Sequence, residues 1–304
     1  MKKPVQLVVV GSIGIDTIET QTARKVDILG GSVSYACAAA SFFTTTGMVG
    51  VVGTDFPEAH MEAYRGFGID LQGLQKAEGK TFRWSGVYEQ DMNNRRTLST
   101  DLNVLATFMP ELPDAYTKAP FLFLANISPE LQLHVLAQAK AAKFVAMDTM
   151  DLWINIALKP LLEVIAKVDL VTLNESEARL ISKETNLVKA AKKILEWGPR
   201  FVVVKKGEHG AMLFSKEGVF VVPAYPLEVF HDPTGAGDTF AGGFMGALCE
   251  AGDVNEVSIR KAMAYGSVVA SFGVEDFSLA RLQTLSRSEI EYRFELFRRL
   301  THLG

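Results

Sequence analysis

Asp238 lies in the run Asp232-Pro233-Thr234-Gly235-Ala236-Gly237-Asp238-Thr239-Phe240-Ala241-Gly242-Gly243-Phe244. Small residues open a long helix there, and Gly235 and Gly237 let backbone approach a ligand with no Cβ in the way. A helix start presents unpaired N–H groups at the positive end of its dipole, an arrangement that holds phosphate. A carboxylate in the first turn can take a proton from an attacking hydroxyl. The amides of Ala236, Gly237 and Asp238 would meanwhile steady the transferring phosphoryl. Those are the needs of phosphoryl transfer, where positioning and electrostatics dominate. The plainer alternative is a Gly-rich turn with an ordinary first-turn aspartate.

Such a turn needs a scaffold. Short β-branched runs recur at Val8–Val10, Phe121–Leu124, Phe144–Met147, Leu170–Leu173 and Phe201–Val204, without polar alternation, as in parallel strands buried on both faces. Helical stretches separate them over Ser34–Phe42, Pro129–Ala142, Leu152–Ile165, Glu175–Ile181 and Leu187–Trp197. The pattern predicts an α/β fold, a doubly wound, mostly parallel sheet with helices on both faces. Residues 81–100 alternate around Arg83, Trp84 and Tyr88 and carry an Asn93-Asn94 turn, which reads as a hairpin. With a second extended stretch over 16–29 it predicts a small β-sheet lid above the ligand crevice. The helices Ala236–Ala251, Val257–Ser271 and Ser288–Leu300 close a single domain over residues 1–304.

Composition narrows the function. At 304 residues, 48% hydrophobic and 22% charged, the chain can bury a full core unaided. Its 2 cysteines, Cys37 and Cys249, argue against a disulfide framework or a cysteine zinc site and suit the reducing cytoplasm. A net charge of −4 predicts no nucleic-acid partner. No run of 18 apolar residues predicts a membrane helix. The opening Met1-Lys2-Lys3 and Leu7–Val10 imitate a signal peptide, but Gly11 and Asp16 interrupt it, and a buried first strand is the better reading. A P-loop, a protein-kinase motif set, a Gly-x-Ser-x-Gly elbow and a His-Glu-x-x-His helix are all missing from the sequence.

The run around Asp238 resembles, over more than ten positions, the C-terminal signature of the ribokinase-like (PfkB) carbohydrate and nucleoside kinases. The resemblance extends along nearly the whole chain. It implies an ATP- and Mg²⁺-dependent kinase with Asp238 as base. Gly11-Ser12-Ile13-Gly14-Ile15-Asp16 looks like the first strand and the acceptor-binding aspartate; a carboxylate there can accept bonds from two sugar hydroxyls. Gly30-Gly31 resembles the di-glycine hinge between lid and body. Asn174 and Glu177 match the family's Asn-x-x-Glu motif, with Glu177 managing Mg²⁺ through water. Lys205, Gly207 and Gly210 match the loop beside the nucleotide, although many relatives carry threonine at the place of Lys205. Ser267 falls on the adenine-side helix, and Asp232 is where some members hold a monovalent cation such as K⁺.

One departure bears on the acceptor. Ribokinase-type members carry asparagine where Tyr35 stands here. A phenol offers one hydroxyl in place of an amide's donor and acceptor, which argues against ribose in its usual pose. Gly-Gly-Ser-Val-Ser-Tyr looks more like members described loosely as sugar kinases and some inositol or nucleoside kinases. The acceptor class is a sugar or cyclitol, with a nucleoside as the alternative if Trp84 or Tyr88 stacks a base. Trp84 packing only the lid is the plainer alternative. A non-catalytic nucleotide- or sugar-binding protein is a more distant rival, which has no need of Asp238. The open lid sheet also predicts a homodimer contact.

Overall fold

The computed structural model describes residues 3–89, 92 and 95–302; the Asn93-Asn94 turn lies outside them. The strands are β1 Leu7–Val10, β2 Gly14–Glu19, β3 Arg24–Gly30, β4 Thr46–Val52, β5 Asp70–Lys76, β6 Phe82–Tyr88, β7 Arg95–Asp101, β8 Phe121–Leu124, β9 Phe144–Asp148, β10 Leu170–Asn174, β11 Phe201–Lys205, β12 Ala211–Ser215 and β13 Gly218–Val222. The helices are α1 Ser32–Ser41, α2 Glu58–Gly66, α3 Pro129–Gln138, α4 Asp151–Ile156, α5 Leu158–Ile165, α6 Glu175–Ser182, α7 Leu187–Leu195, α8 Ala236–Ala251, α9 Glu256–Gly273, α10 Ala280–Thr284 and α11 Arg287–Thr301.

The nine-stranded sheet runs β13-β12-β11-β10-β9-β8-β1-β4-β5. It is parallel from β11 to β5, and β12 and β13 join antiparallel at one edge. Alternation along each buried strand divides the core in two. Leu7 and Val9 of β1 face one layer with residues of α1, α8 and α9, and Val8 and Val10 face the other with residues of α3, α5, α6 and α7. The doubly wound expectation is met. The chain moves from β1 outward to β4 on one side and to β8 on the other, so the order reverses at β1, the kind of switch point beyond which open α/β sheets bind ligands. A second sheet, β3-β2-β6-β7, forms the small β-layer.

Two helices differ from expectation. The stretch Leu152–Ile165 is broken at Ala157 (φ −137°, ψ 35°) into α4 and α5. Pro160 lacks the N–H that a continuous helix would bond to the Ile156 carbonyl, but it is tolerated in the first turn of a new helix. The stretch Pro129–Ala142 ends at Gln138, where Ala139 leaves helical geometry (φ −83°, ψ 53°). Strands β4, β5, β12 and β13 had no counterpart among the runs read as strands. Helix α8 lies close against α1, because a Cβ on Gly242 or Gly246 would strike the backbone of Ala36 or Ala40. That contact fixes where α8 begins.

Candidate active site

Three adjacent parallel strands end on polar residues: β9 on Asp148, β10 on Asn174 and β11 on Lys205. Strand alternation sends all three to the α8 side, since Ala146, Leu170 and Val203, an even number of residues earlier, belong to that core layer. The Lys205 Nζ donates to Asp148 Oδ2 at 2.6 Å. It also lies 3.2 Å from where a Cβ on Gly237 would stand, so the ammonium rests against the start of α8. Asp148 was not among the candidate residues. Its signal was present: a lone carboxylate closing an apolar strand, as Asn174 and Lys205 close theirs.

Gly235 caps α8 at φ +72°, a conformation that favours glycine, and a Cβ there would lie 2.5 Å from ring carbons of Tyr35. One expectation is corrected here. The Ala236 N–H donates to the Pro233 carbonyl (3.1 Å), so it is not open to a phosphoryl group. The amides of Gly237 and Asp238 have no acceptor among the described residues. Burial, reinforced by the Asp148 carboxylate, pushes Asp238 up to about 7, while Lys205 and Arg95 pull the other way. A carboxylate titrating there is suited to accept a hydroxyl proton near neutral pH.

On the acceptor side, Asp16 is buried and its Oδ1 has no partner among the described residues. Burial, then the charge of Asp232, pushes it up to about 7; Arg95 opposes and Asp238 adds to the rise. Gly30 and Gly31 join β3 to α1. A Cβ on Gly31 (φ +93°) would strike the Ser12 carbonyl, and one on Gly30 would overlap the Asp16 carboxylate. Tyr35 is buried beneath Gly235, its hydroxyl has no partner among the described residues, and burial raises its pKa further above the usual phenol value. Pairing of β2 with β6 and of β6 with β7 puts Asp16, Trp84, Tyr88 and Arg95 on one face of the lid. Trp84 packs against the small lid core of Ile18, Tyr88 and Phe277. Its indole lies along Gly86, Nε1–H donates to Thr97 Oγ1 (3.2 Å), and the Arg95 guanidinium sits 5.8 Å from the ring. Tyr88 reaches the body, its hydroxyl accepting from Thr234 Oγ1 at 3.0 Å. Arg95 was missed by sequence reading because an exposed strand arginine looks like any other.

On the nucleotide side, Asn174 and Glu177 form a capping box on α6: Asn174 Oδ1 accepts from the Glu177 N–H and Glu177 Oε2 from the Asn174 N–H, both at 2.8 Å. Burial pushes Glu177 up to about 7, helped by Asp148 and opposed by Lys205. Glu177 and Asn174 offer hard oxygens beside Lys205. One carboxylate and one amide oxygen suit a Mg²⁺ that would keep most of its waters and take phosphate oxygens; among the described residues no three His, Cys, Asp or Glu side chains form a metal cage. Gly207 (φ +56°) and Gly210 (φ +83°) bracket the turn after β11. Ser267 is buried in α9 with its hydroxyl bonded to the Pro223 carbonyl (2.8 Å), so its side chain braces the loop after β13. Asp232 is fully buried and accepts from the backbone of Thr234 (2.9 Å) and Ser278 (3.4 Å).

The sequence pattern of the pfkB family carbohydrate kinases matches residues 6–283. The chain belongs to this family. It is 32% identical over 246 residues to the cytidine kinase of Thermococcus kodakarensis, covering 79% of this chain and 87% of that one. Among solved structures it is similar to the ribokinase of Giardia lamblia (TM-score 0.82, 20% identity, 97% and 100% of the two chains). It is also similar to an E. coli chain solved in complex with ATP and Mg²⁺ (TM-score 0.79, 18% identity, 96% and 99%). The fold is thus that of a pfkB-family enzyme, a phosphotransferase with an alcohol acceptor. No helix among the described residues is long and apolar enough to cross a membrane.

Proposed function

We propose that the protein transfers the γ-phosphoryl of ATP to a hydroxyl of a small sugar-like acceptor, a sugar or cyclitol. One observation carries the reading: Asp238, pushed up to about 7, stands at the open start of α8 beside Lys205. ATP supplies the phosphoryl group when bound, and Mg²⁺ neutralises its charge. Asp16 orients the acceptor hydroxyls, and Asp238 takes the proton of the attacking one. The amides of Gly237 and Asp238 and the Lys205 ammonium stabilise charge on the transferring group. Glu177 and Asn174 hold Mg²⁺ through water, and the lid excludes solvent. Gly207 and Gly210 shape the nucleotide side, Asp232 is the candidate for a K⁺ site, the lid is the candidate dimer surface, and the cytoplasm is the compartment.

A nucleoside acceptor is the second reading, supported by the 32% identity to a cytidine kinase. The test is ADP release with Mg-ATP across pentoses, hexoses, inositols and nucleosides, with and without K⁺, run beside Asp238→Asn. Turnover with a sugar or cyclitol, lost in the variant, supports the first reading. Turnover confined to nucleosides replaces it with the second, and turnover with none overturns both.

A further inference from the structure

Asp148 carries a fixed carboxylate. Its Oδ1 accepts from the Thr149 N–H (2.9 Å) and its Oδ2 from the Lys205 ammonium (2.6 Å). Its backbone is fixed as well: the buried Gln132 side chain donates to the carbonyls of Leu124 (3.3 Å), Ala125 (3.2 Å) and Asp148 (3.0 Å), tying the ends of β8 and β9 together. The side chains of Asp148 and Lys205 are only 5% and 16% exposed. A pair this buried adds little to stability over apolar residues of the same volume. Its location is the informative part. Lys205 also faces Glu177 and Asp238, and its ammonium lies at the start of α8. A lysine on a flexible four-carbon stem among three carboxylates has three places to go. In this structure it takes Asp148.

We infer that Asp148 is a positioning residue. It holds the Lys205 ammonium against the N-terminus of α8, so that the lysine meets the transferring phosphoryl already aimed, and Asp238 stays free to accept the proton. The inference rests on the kinase reading above. Pre-aligned charge needs no reorganisation at the moment of transfer.

The test compares the full-length protein with Asp148→Asn, Asp148→Glu, Lys205→Gln and the Asp148→Asn/Lys205→Gln double variant, each checked for folding by its melting temperature. Kinetics use Mg-ATP with the acceptor found in the panel. Calorimetric titration gives the affinities for a non-hydrolysable ATP analogue and for ADP. The expected result is a fall in kcat of about 10²-fold in Asp148→Asn and in Lys205→Gln, with acceptor KM little changed. The double variant should be no slower than Lys205→Gln, since both changes remove one interaction. Asp148→Glu should recover part of the rate. The acid limb of the Asp148→Asn profile should move to lower pH, because Asp238 loses a neighbouring negative charge and gains the lysine. Asp148→Asn and Lys205→Gln should both lose the wild-type preference for the ATP analogue over ADP. Losses that multiply in the double variant, or an unchanged analogue-to-ADP ratio, would overturn the inference. If the wild type transfers phosphoryl to no acceptor, the kinase reading fails by itself; the affinity ratio then still decides whether Asp148 aims Lys205 at the terminal phosphate.

Discussion

The carboxylate of Asp16 fills the space in front of Gly30 where a side chain would begin. The carboxylate proposed to orient the acceptor is thus in contact with the joint between β3 and α1. Gly30→Ala should displace that carboxylate, at an overpacking penalty of about 1–3 kcal/mol. We expect acceptor KM to rise at least tenfold while affinity for an ATP analogue holds. An unchanged acceptor KM would show that Asp16 does not bind the acceptor.

Asp238→Asn should lower kcat by about 10²- to 10⁴-fold and leave nucleotide affinity intact. The wild-type pH profile follows from the same group. A base titrating near 7 is protonated and idle below that pH, so kcat/KM should rise between about pH 6 and 8. A profile flat from pH 5 to 8 would contradict Asp238 as the base.

Stability should run the opposite way with pH. Asp16, Glu177 and Asp238 have folded-state values raised to about 7 from 3.8, 4.5 and 3.8. The folded chain therefore binds more protons than the unfolded one between about pH 4 and 7. Their contribution is fully present below the unfolded values and is lost as pH rises through about 7. Thermal melting of the ligand-free protein should show this loss, and Asp16→Asn should flatten it. Equal pH dependence in the variant would refute the assignment.

Tyr35→Phe removes a buried hydroxyl that has no partner among the described residues and keeps the ring that supports Gly235. An unpaired buried hydroxyl costs about 1–3 kcal/mol, so the ligand-free variant should melt no lower than the wild type. If the hydroxyl meets the acceptor, acceptor KM rises as well. A lower melting temperature with unchanged KM would give Tyr35 a structural role only.

The central strands were legible because burial on both faces leaves an unbroken apolar run, as in Phe201–Val204. Strand β4 was not. Its Gly47 and Gly50 dilute the run, and they are needed because Tyr116 and Ile13 occupy the space beside them. Strand β5 is polar, and β13 is largely exposed at its edge, so neither carries the buried pattern. The sequence motif pointed to Asp238 and the helix start around it. Local spacing could not reveal that Ala236 donates within its own turn, nor that Asp148 and Lys205, 57 residues apart, would meet across two strands. Such pairings depend on sheet order, which no single segment encodes.

Among the described residues the lid core has three buried side chains, Ile18, Tyr88 and Phe277, and the last follows α9 in the body of the molecule. Ser278, next to it, also bonds the Leu29 carbonyl of β3. Residues 82–101 therefore cannot be exchanged as a cassette. A chimaera that borrows a relative's hairpin to acquire a new acceptor would place that hairpin on a foreign Phe277 and Ser278. Transplanting specificity in this fold means moving two segments nearly 200 positions apart together, and drift in one is constrained by the other.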